Sequence, residues 1–162
     1  MRRLVVAAVL LLSASAEAQS LLPEAAPPRA ADLVEWRVRA ERAAPGAEAR
    51  VILDAQIAEG WRLYAADSPI GIPFVLTLDA LPDGIAAQTL RQGTPQTRFD
   101  PVFEEDYTYF AGRARFVQPL RLGAGVAEGT HEVTGAVRYA LCDDSICLSP
   151  ARSAFRVALV VE

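Results

Sequence analysis

From residue 33 onward, apolar and polar side chains alternate in short runs. In 33–40 ("LVEWRVRA") Leu33, Glu35, Arg37 and Arg39 fall on one face and Val34, Trp36 and Val38 on the other. That is the period of two expected of a strand with one buried face. Further runs of this kind occupy 49–57 ("ARVILDAQI"), after a Pro45-Gly46 turn, and 61–65 ("WRLYA"), after Gly60. Others follow at 72–78, 84–90, 107–111, 113–122, 131–141 and 153–162, parted by Pro82-Asp83-Gly84, Ala111-Gly112 and Gly123-Ala124-Gly125. No stretch after the N-terminal region holds an apolar period of 3.6 over three turns. Short alternating runs with frequent turn signals predict an all-β chain: one immunoglobulin-like antiparallel β-sandwich over 33–162.

The N-terminus has a different character. Met1-Arg2-Arg3 precedes nine apolar residues, Leu4 to Leu12, and then "SASAEAQS", with Ala16 and Ala18 at the minus-three and minus-one positions of a cut after Ala18. This is the order of a secretory signal peptide, predicted at 1–18; the run is too short for a membrane span of about 20 apolar residues. Residues 19–32, rich in Ala and Pro, read as a flexible lead-in. Cleavage leaves a single-domain length, with no later segment apolar enough to span a bilayer. It also removes Arg2, Arg3 and Glu17, leaving 14 basic and 19 acidic residues. That acidic balance argues against nucleic acid and anionic membrane surfaces as partners. All 16 basic residues are arginine, which we read as coding bias.

The usual inventory for acid–base or metal chemistry is nearly empty. His131 is the only histidine and opens a strand just after a turn, so a solvated position is expected. There is no G-x-S-x-G, no Gly-rich phosphate loop and no cluster of metal-ligand residues, so neither cofactor nor metal is expected. Any chemistry must rest on Cys142 and Cys147, the only two cysteines, in "YALCDDSICLSP" (139–150).

Two readings of that pair stand side by side. In an exported domain, two cysteines usually form a structural disulfide. A bridge here would close a ring of six residues, constraining the unfolded chain by only about 2 kcal/mol. It would also join no distant elements, unlike the inter-sheet bridge of antibody domains. As a redox pair it is better placed: the "DDSI" turn brings the two α-carbons to bridging distance at an exposed hairpin end, open to a partner's thiolate. Asp143 and Asp144 would disfavour a nearby thiolate by like-charge repulsion, or serve simply as turn formers.

The spacing Y-x-x-C-x4-C-x-x-P, carried by Tyr139, Cys142, Cys147 and Pro150, resembles the N-terminal periplasmic domain of the DsbD thiol:disulfide interchange family. "GWRLYA" (60–65) is similar to that family's aromatic strand, "PIGIPFVLTL" (69–78) to the segment after it, and "YFAGRARFVQPLRL" (109–122) to the strand pair before the cysteine hairpin. The resemblance covers about residues 33 to 161. It implies an immunoglobulin-like fold in the periplasm whose cysteines, Cys142 and Cys147, shuttle electrons. It further implies a membrane-embedded or thioredoxin-like reductase as donor and a periplasmic disulfide-containing protein as acceptor, with Cys147 as the sulfur that meets the substrate. It also implies a cap loop laying an aromatic ring over the sulfurs, which maps to 99–107 ("FDPVFEEDY"), with Phe103 as the shield and Tyr107 in reserve. Glu104, Glu105 and Asp106 would supply at most one proton-handling group, the others being solvated. Some members space the cysteines by five residues and place a second proline where Ser149 stands. No transmembrane bundle or thioredoxin-like C-x-x-C follows the last strand, so a separate donor protein is expected.

The leading expectation is therefore a periplasmic module carrying reducing equivalents through a reversible Cys142–Cys147 disulfide. The alternative is a non-catalytic immunoglobulin-like binding module with an inert bridge. Metal handling by the reduced thiols in copper stress is a third and weaker reading, since two thiolates with no nearby His or Met make a poor copper site.

Overall fold

The structure, a computed structural model, describes residues 27–162; the expected signal peptide and most of the lead-in lie outside the described residues. After a 3-10 turn at Ala30–Asp32, the described chain is built of twelve strands. They are β1 (Val34–Ala40), β2 (Glu48–Ile57), β3 (Arg62–Tyr64), β4 (Val75–Leu78), β5 (Ile85–Ala87), β6 (Arg91–Gln92), β7 (Gln96–Asp100), β8 (Glu105–Ala111), β9 (Arg113–Leu122), β10 (Gly129–Tyr139), β11 (Leu141–Cys142) and β12 (Ala151–Val161).

The strands form three antiparallel sheets. The first runs β1-β2-β9-β5, with β6 also on β9; the second is β12-β10-β4; the third, β11-β3-β8-β7, carries both the first cysteine and the neighbouring hairpin. The predicted all-β sandwich is the fold observed, and β1 alternates as expected, with Val34, Trp36 and Val38 turned inward and Glu35, Arg37 and Arg39 outward. On β9 the inward set is Ala114, Phe116, Gln118, Leu120 and Leu122. Gln118 is tolerated there because its amide donates to the carbonyls of Gln88 and Pro119, at 2.6 and 3.0 Å.

The sheets meet on an aromatic cluster. Phe74 stacks on Phe116 with ring centroids 3.6 Å apart, Phe110 meets Phe116 edge-on at 5.5 Å, and Trp36 packs against Phe74, Phe116 and Tyr139. These rings come from β1, β8, β9, β10 and the segment before β4, so each sheet contributes to one core, adding about 1 kcal/mol per pair to the burial itself. Gly135 is required where β10 runs between β4 and β12: a Cβ there would strike the Thr77 carbonyl and the Phe155 ring.

Three expectations need correction. The run 131–141 is not one strand, because the chain leaves the second sheet at Ala140 and re-enters the third as β11. Tyr139, Ala140, Leu141 and Cys142 are all buried, so the apolar run continues unbroken across the switch. The segment 72–78 is extended in a sheet only from Val75, Phe74 being spent on the core. Residues 99–107 are not one loop: Phe99 and Asp100 end β7, Glu105 to Tyr107 begin β8, and only the tip between them is irregular.

Candidate functional site

β11 is a strand of two residues held by register with β3, Leu141 opposite Leu63 and Cys142 opposite Arg62. The next turn brings the chain straight back. Cys142 and Cys147 face each other across an antiparallel bridge, Asp143 N donates to Ile146 O at 3.0 Å, and Leu148 N donates to Leu141 O at 2.9 Å. The cysteines are joined, Sγ to Sγ at 2.02 Å with their α-carbons 4.0 Å apart. Asp143 closes the turn, its carboxylate accepting from Ser145 N at 2.6 Å and Ile146 N at 2.7 Å. Those amides hold its carboxyl below the usual range, so it stays ionised.

The two sulfurs sit in unlike surroundings. Cys142 is 7 % exposed and belongs to the wall of the core, whereas Cys147 lies exposed on the outer side of the turn. Behind Cys142 stands Tyr64 of β3, with its hydroxyl 3.7 Å from the sulfur. A disulfide sulfur carries no proton, so Tyr64 is the donor. Burial raises its pKa, the neighbouring Tyr107 and the charge of Asp100 add to this, and Arg62 offsets part of it. The phenol therefore remains a donor at neutral pH. Its ring is fixed by Tyr107, 5.6 Å away centroid to centroid, and by Gly71, whose φ of 81° and missing side chain admit the ring.

Asp144 is the electrostatic hinge of the site. It accepts from Arg62 of β3 at 2.9 Å and from Arg98 of β7 at 2.8 Å, and these two guanidiniums hold its carboxyl below its ordinary value. Arg62 also donates to the Asp143 carbonyl at 2.6 Å and lies over the Tyr109 ring, 5.8 Å from its centroid. Asp144 is thus compensated twice. Any like-charge pressure on a nearby thiolate falls to Asp143.

The expected cap is the β7–β8 hairpin. Arg98 faces Tyr107 across it. Its tip is shaped by Asp100, whose carboxylate accepts from Val102 N at 2.8 Å and Phe103 N at 3.2 Å, and by Glu104 in the left-handed region at φ 54°. Phe103 stands exposed at the tip, so it is not an ordinary core aromatic. Tyr107, its reserve, is buried against Tyr64 instead. Glu104, Glu105 and Asp106 are exposed, as solvated side chains would be.

Sequence reasoning therefore placed the cysteines, the hairpin and the aspartates, but not Arg62, Arg98, Gly71 or Asp100. Tyr64 lay inside the aromatic strand 60–65, whose resemblance to the family's strand was its signal, but it was given no role. A cleft of about 700 Å³ on the outer face of the first sheet, lined by Arg37, Asp54, Arg113 and Arg115 among others, shares no residue with this site. Its charges are largely paired internally, Arg37 to Glu35 and Arg115 to Asp54.

Comparison with solved structures supports the fold. The N-terminal domain of DsbD from Neisseria meningitidis, in its reduced form, superposes with a TM-score of 0.56 at 18% identity, covering 83% of this chain and 91% of that one. The N-terminal periplasmic domain of ScsB from Proteus mirabilis gives 0.54 at 13% identity, covering 80% of this chain but only 47% of that one. No curated protein matches the sequence. Residues 30–159 match the family described as thiol:disulfide interchange protein DsbD, N-terminal, and the chain belongs to that family.

Proposed function

We propose that the chain is a periplasmic thiol–disulfide exchange module in which Cys147 is the sulfur that reacts with partner proteins and Cys142 the sulfur that leaves and resolves. The asymmetry of the pair carries this reading: one sulfur is exposed, the other buried beside a phenolic donor.

In the loading direction, a thiolate of a reduced partner attacks Cys147 Sγ along the S–S axis. A new intermolecular disulfide forms, the Cys142–Cys147 bond breaks, and the electron pair leaves on Cys142 as a thiolate. The Tyr64 hydroxyl donates to that sulfur as charge develops, and solvent supplies the proton. The partner's second thiolate then attacks its own half of the mixed disulfide and releases Cys147. Two electrons have moved into the module, leaving it a dithiol and the partner a disulfide. Delivery reverses these steps: the Cys147 thiolate attacks an acceptor disulfide, and Cys142 resolves the mixed species.

The donor in this reading is a thioredoxin-like or membrane-embedded reductase, and the acceptor a periplasmic disulfide-containing protein. Phe103 at the hairpin tip screens the sulfurs from unselective thiols. Among the described residues no helix is long and apolar enough to cross a membrane.

The deciding measurement is the equilibrium potential of the pair, by glutathione titration with thiol alkylation. A value between roughly −200 and −270 mV lies within the range of catalytic dithiols. A pair still oxidised in strongly reducing glutathione buffer would mean an inert bridge and would end the exchange reading.

A further inference from the structure

The described residues expose five large apolar side chains, and four of them stand at one end of the molecule: Phe99 at 56 %, Val102 at 82 %, Phe103 at 64 % and Ile146 at 48 %. Val102 and Phe103 form the tip of the β7–β8 hairpin, and Ile146 sits beside Cys147. The Arg98–Asp144 ion pair holds these two segments together. Phe99, paired with Asp106 on the hairpin face opposite Arg98 and Tyr107, extends the apolar surface onto the back of the hairpin. Side chains this large, exposed on two segments that the Arg98–Asp144 pair joins, one of them the cysteine turn, mark a surface that another protein covers.

Charge specifies the occupant. The hairpin and the cysteine turn carry six carboxylates (Asp100, Glu104, Glu105, Asp106, Asp143 and Asp144) and one guanidinium, Arg98, with Arg62 of β3 beside them. Both arginines are already engaged with Asp144, while Glu104, Glu105 and Asp106 stand exposed around the tip. The rim is thus negative and the centre apolar.

We propose that Val102, Phe103 and Ile146, around Cys147, dock a folded protein whose own reactive cysteine lies in an apolar surface rimmed by lysine or arginine. The inference rests on the exchange reading and names the class of partner. A basic rim speeds encounter and sets orientation, while an acidic rim is repelled by like charge. Apolar contact at the centre excludes water from the two sulfurs as they meet.

The test uses the mature chain and synthetic thiol peptides with a Leu-Cys-Leu centre, one flanked by arginines and one by glutamates, with Ser-Cys-Ser counterparts. Each peptide's second-order rate of reducing the Cys142–Cys147 bridge is divided by its rate with neutral 2-hydroxyethyl disulfide, which removes differences in intrinsic thiol reactivity. At low ionic strength the arginine peptide should lead by about tenfold, and in about 0.5 M salt the lead should shrink severalfold. E104Q/E105Q/D106N should reduce it to less than about threefold, and V102S/I146S should abolish the preference for leucine over serine. Equal normalised rates, or a charge preference that survives the triple substitution, overturn the docking surface while leaving exchange intact. If neither the peptides nor dithiothreitol reduces the bridge, the exchange reading itself fails and the docking proposal falls with it.

Discussion

Arg98, on the outer strand of the hairpin, grips Asp144 in the cysteine turn at 2.8 Å, a direct charged link added to the sheet β11-β3-β8-β7 that already connects the two. Both partners are well exposed, 50% and 72% by side chain, and such a pair contributes about 0–1 kcal/mol to stability. Its effect should appear in reactivity. Arg98→Ala is expected to leave the urea midpoint nearly unchanged while reduction by dithiothreitol accelerates severalfold, as the screening role proposed for the hairpin requires. Added salt should bring the wild type toward the variant. Identical reduction rates in the two proteins would show that this pair does not restrain the hairpin.

Tyr64 acts on the other sulfur. Removing its hydroxyl deletes one donor to Cys142, a hydrogen bond in the range of about 1 kcal/mol, equivalent to roughly fivefold in rate. Tyr64→Phe should therefore slow reduction of the bridge by about threefold to tenfold with little loss of stability, since the ring still packs on Tyr107. Stopped-flow reduction across several thiol concentrations reads this directly. An unchanged rate would mean that the hydroxyl does not assist Cys142 as a leaving group.

Gly71 holds that ring in place from below. Its φ of 81° disfavours any side chain, and a Cβ would lie well inside contact distance of the Tyr64 ring. Gly71→Ala should cost about 2 kcal/mol or more in urea unfolding, combining left-handed backbone strain with overpacking. Reduction should slow as well, because Tyr64 is pushed from the sulfur. A variant as stable as the wild type would show that the loop around Gly71 yields freely.

Most of the sandwich was legible because burial writes a period of two into a strand. Val34, Trp36 and Val38 on β1 and the inward set of β9 announce themselves in this way. β7 did not, since its five residues are almost wholly exposed and alternate nothing apolar against the core. The switch at Ala140 left no trace either: Tyr139, Ala140, Leu141 and Cys142 are all buried, and a continuous apolar run does not tell which sheet each residue serves. At the site, the cysteines and the turn-forming Asp143 could be read locally. The Arg62–Asp144–Arg98 arrangement could not, because its partners lie 82 and 46 residues from Asp144, and only folding brings them together.

Acid should loosen the molecule in a defined window. Arg98 and Arg62 hold Asp144 below its ordinary pKa, backbone amides do the same for Asp143, and Arg115 and Arg39 for Asp54. A carboxylate depressed in the native state contributes its stability in full above the unfolded value of about 3.9, and loses it as pH falls through the lower native value. Urea midpoints should stay level from pH 7 to about pH 5 and fall below about pH 4. Asp144→Asn and Asp54→Asn should each flatten the acid limb. A decline that begins near neutrality would point to some other group.

The division of labour between the sulfurs gives the sharpest chemical expectation. With Cys142→Ser, the remaining thiol is the exposed Cys147; with Cys147→Ser, it is Cys142, only 7 % exposed and walled in by β3. Thiolate character alone does not favour the buried site, since burial raises a thiol's pKa and blocks approach. Iodoacetamide should therefore label Cys142→Ser at least about tenfold faster than Cys147→Ser under native conditions, and the two should react alike in urea. The same order should hold for mixed disulfides, with Cys142→Ser accumulating a stable adduct with an oxidised thiol peptide and Cys147→Ser remaining largely free. Equal native rates would mean that the turn opens quickly enough to present either sulfur, and the roles assigned to the two cysteines would then have to be abandoned.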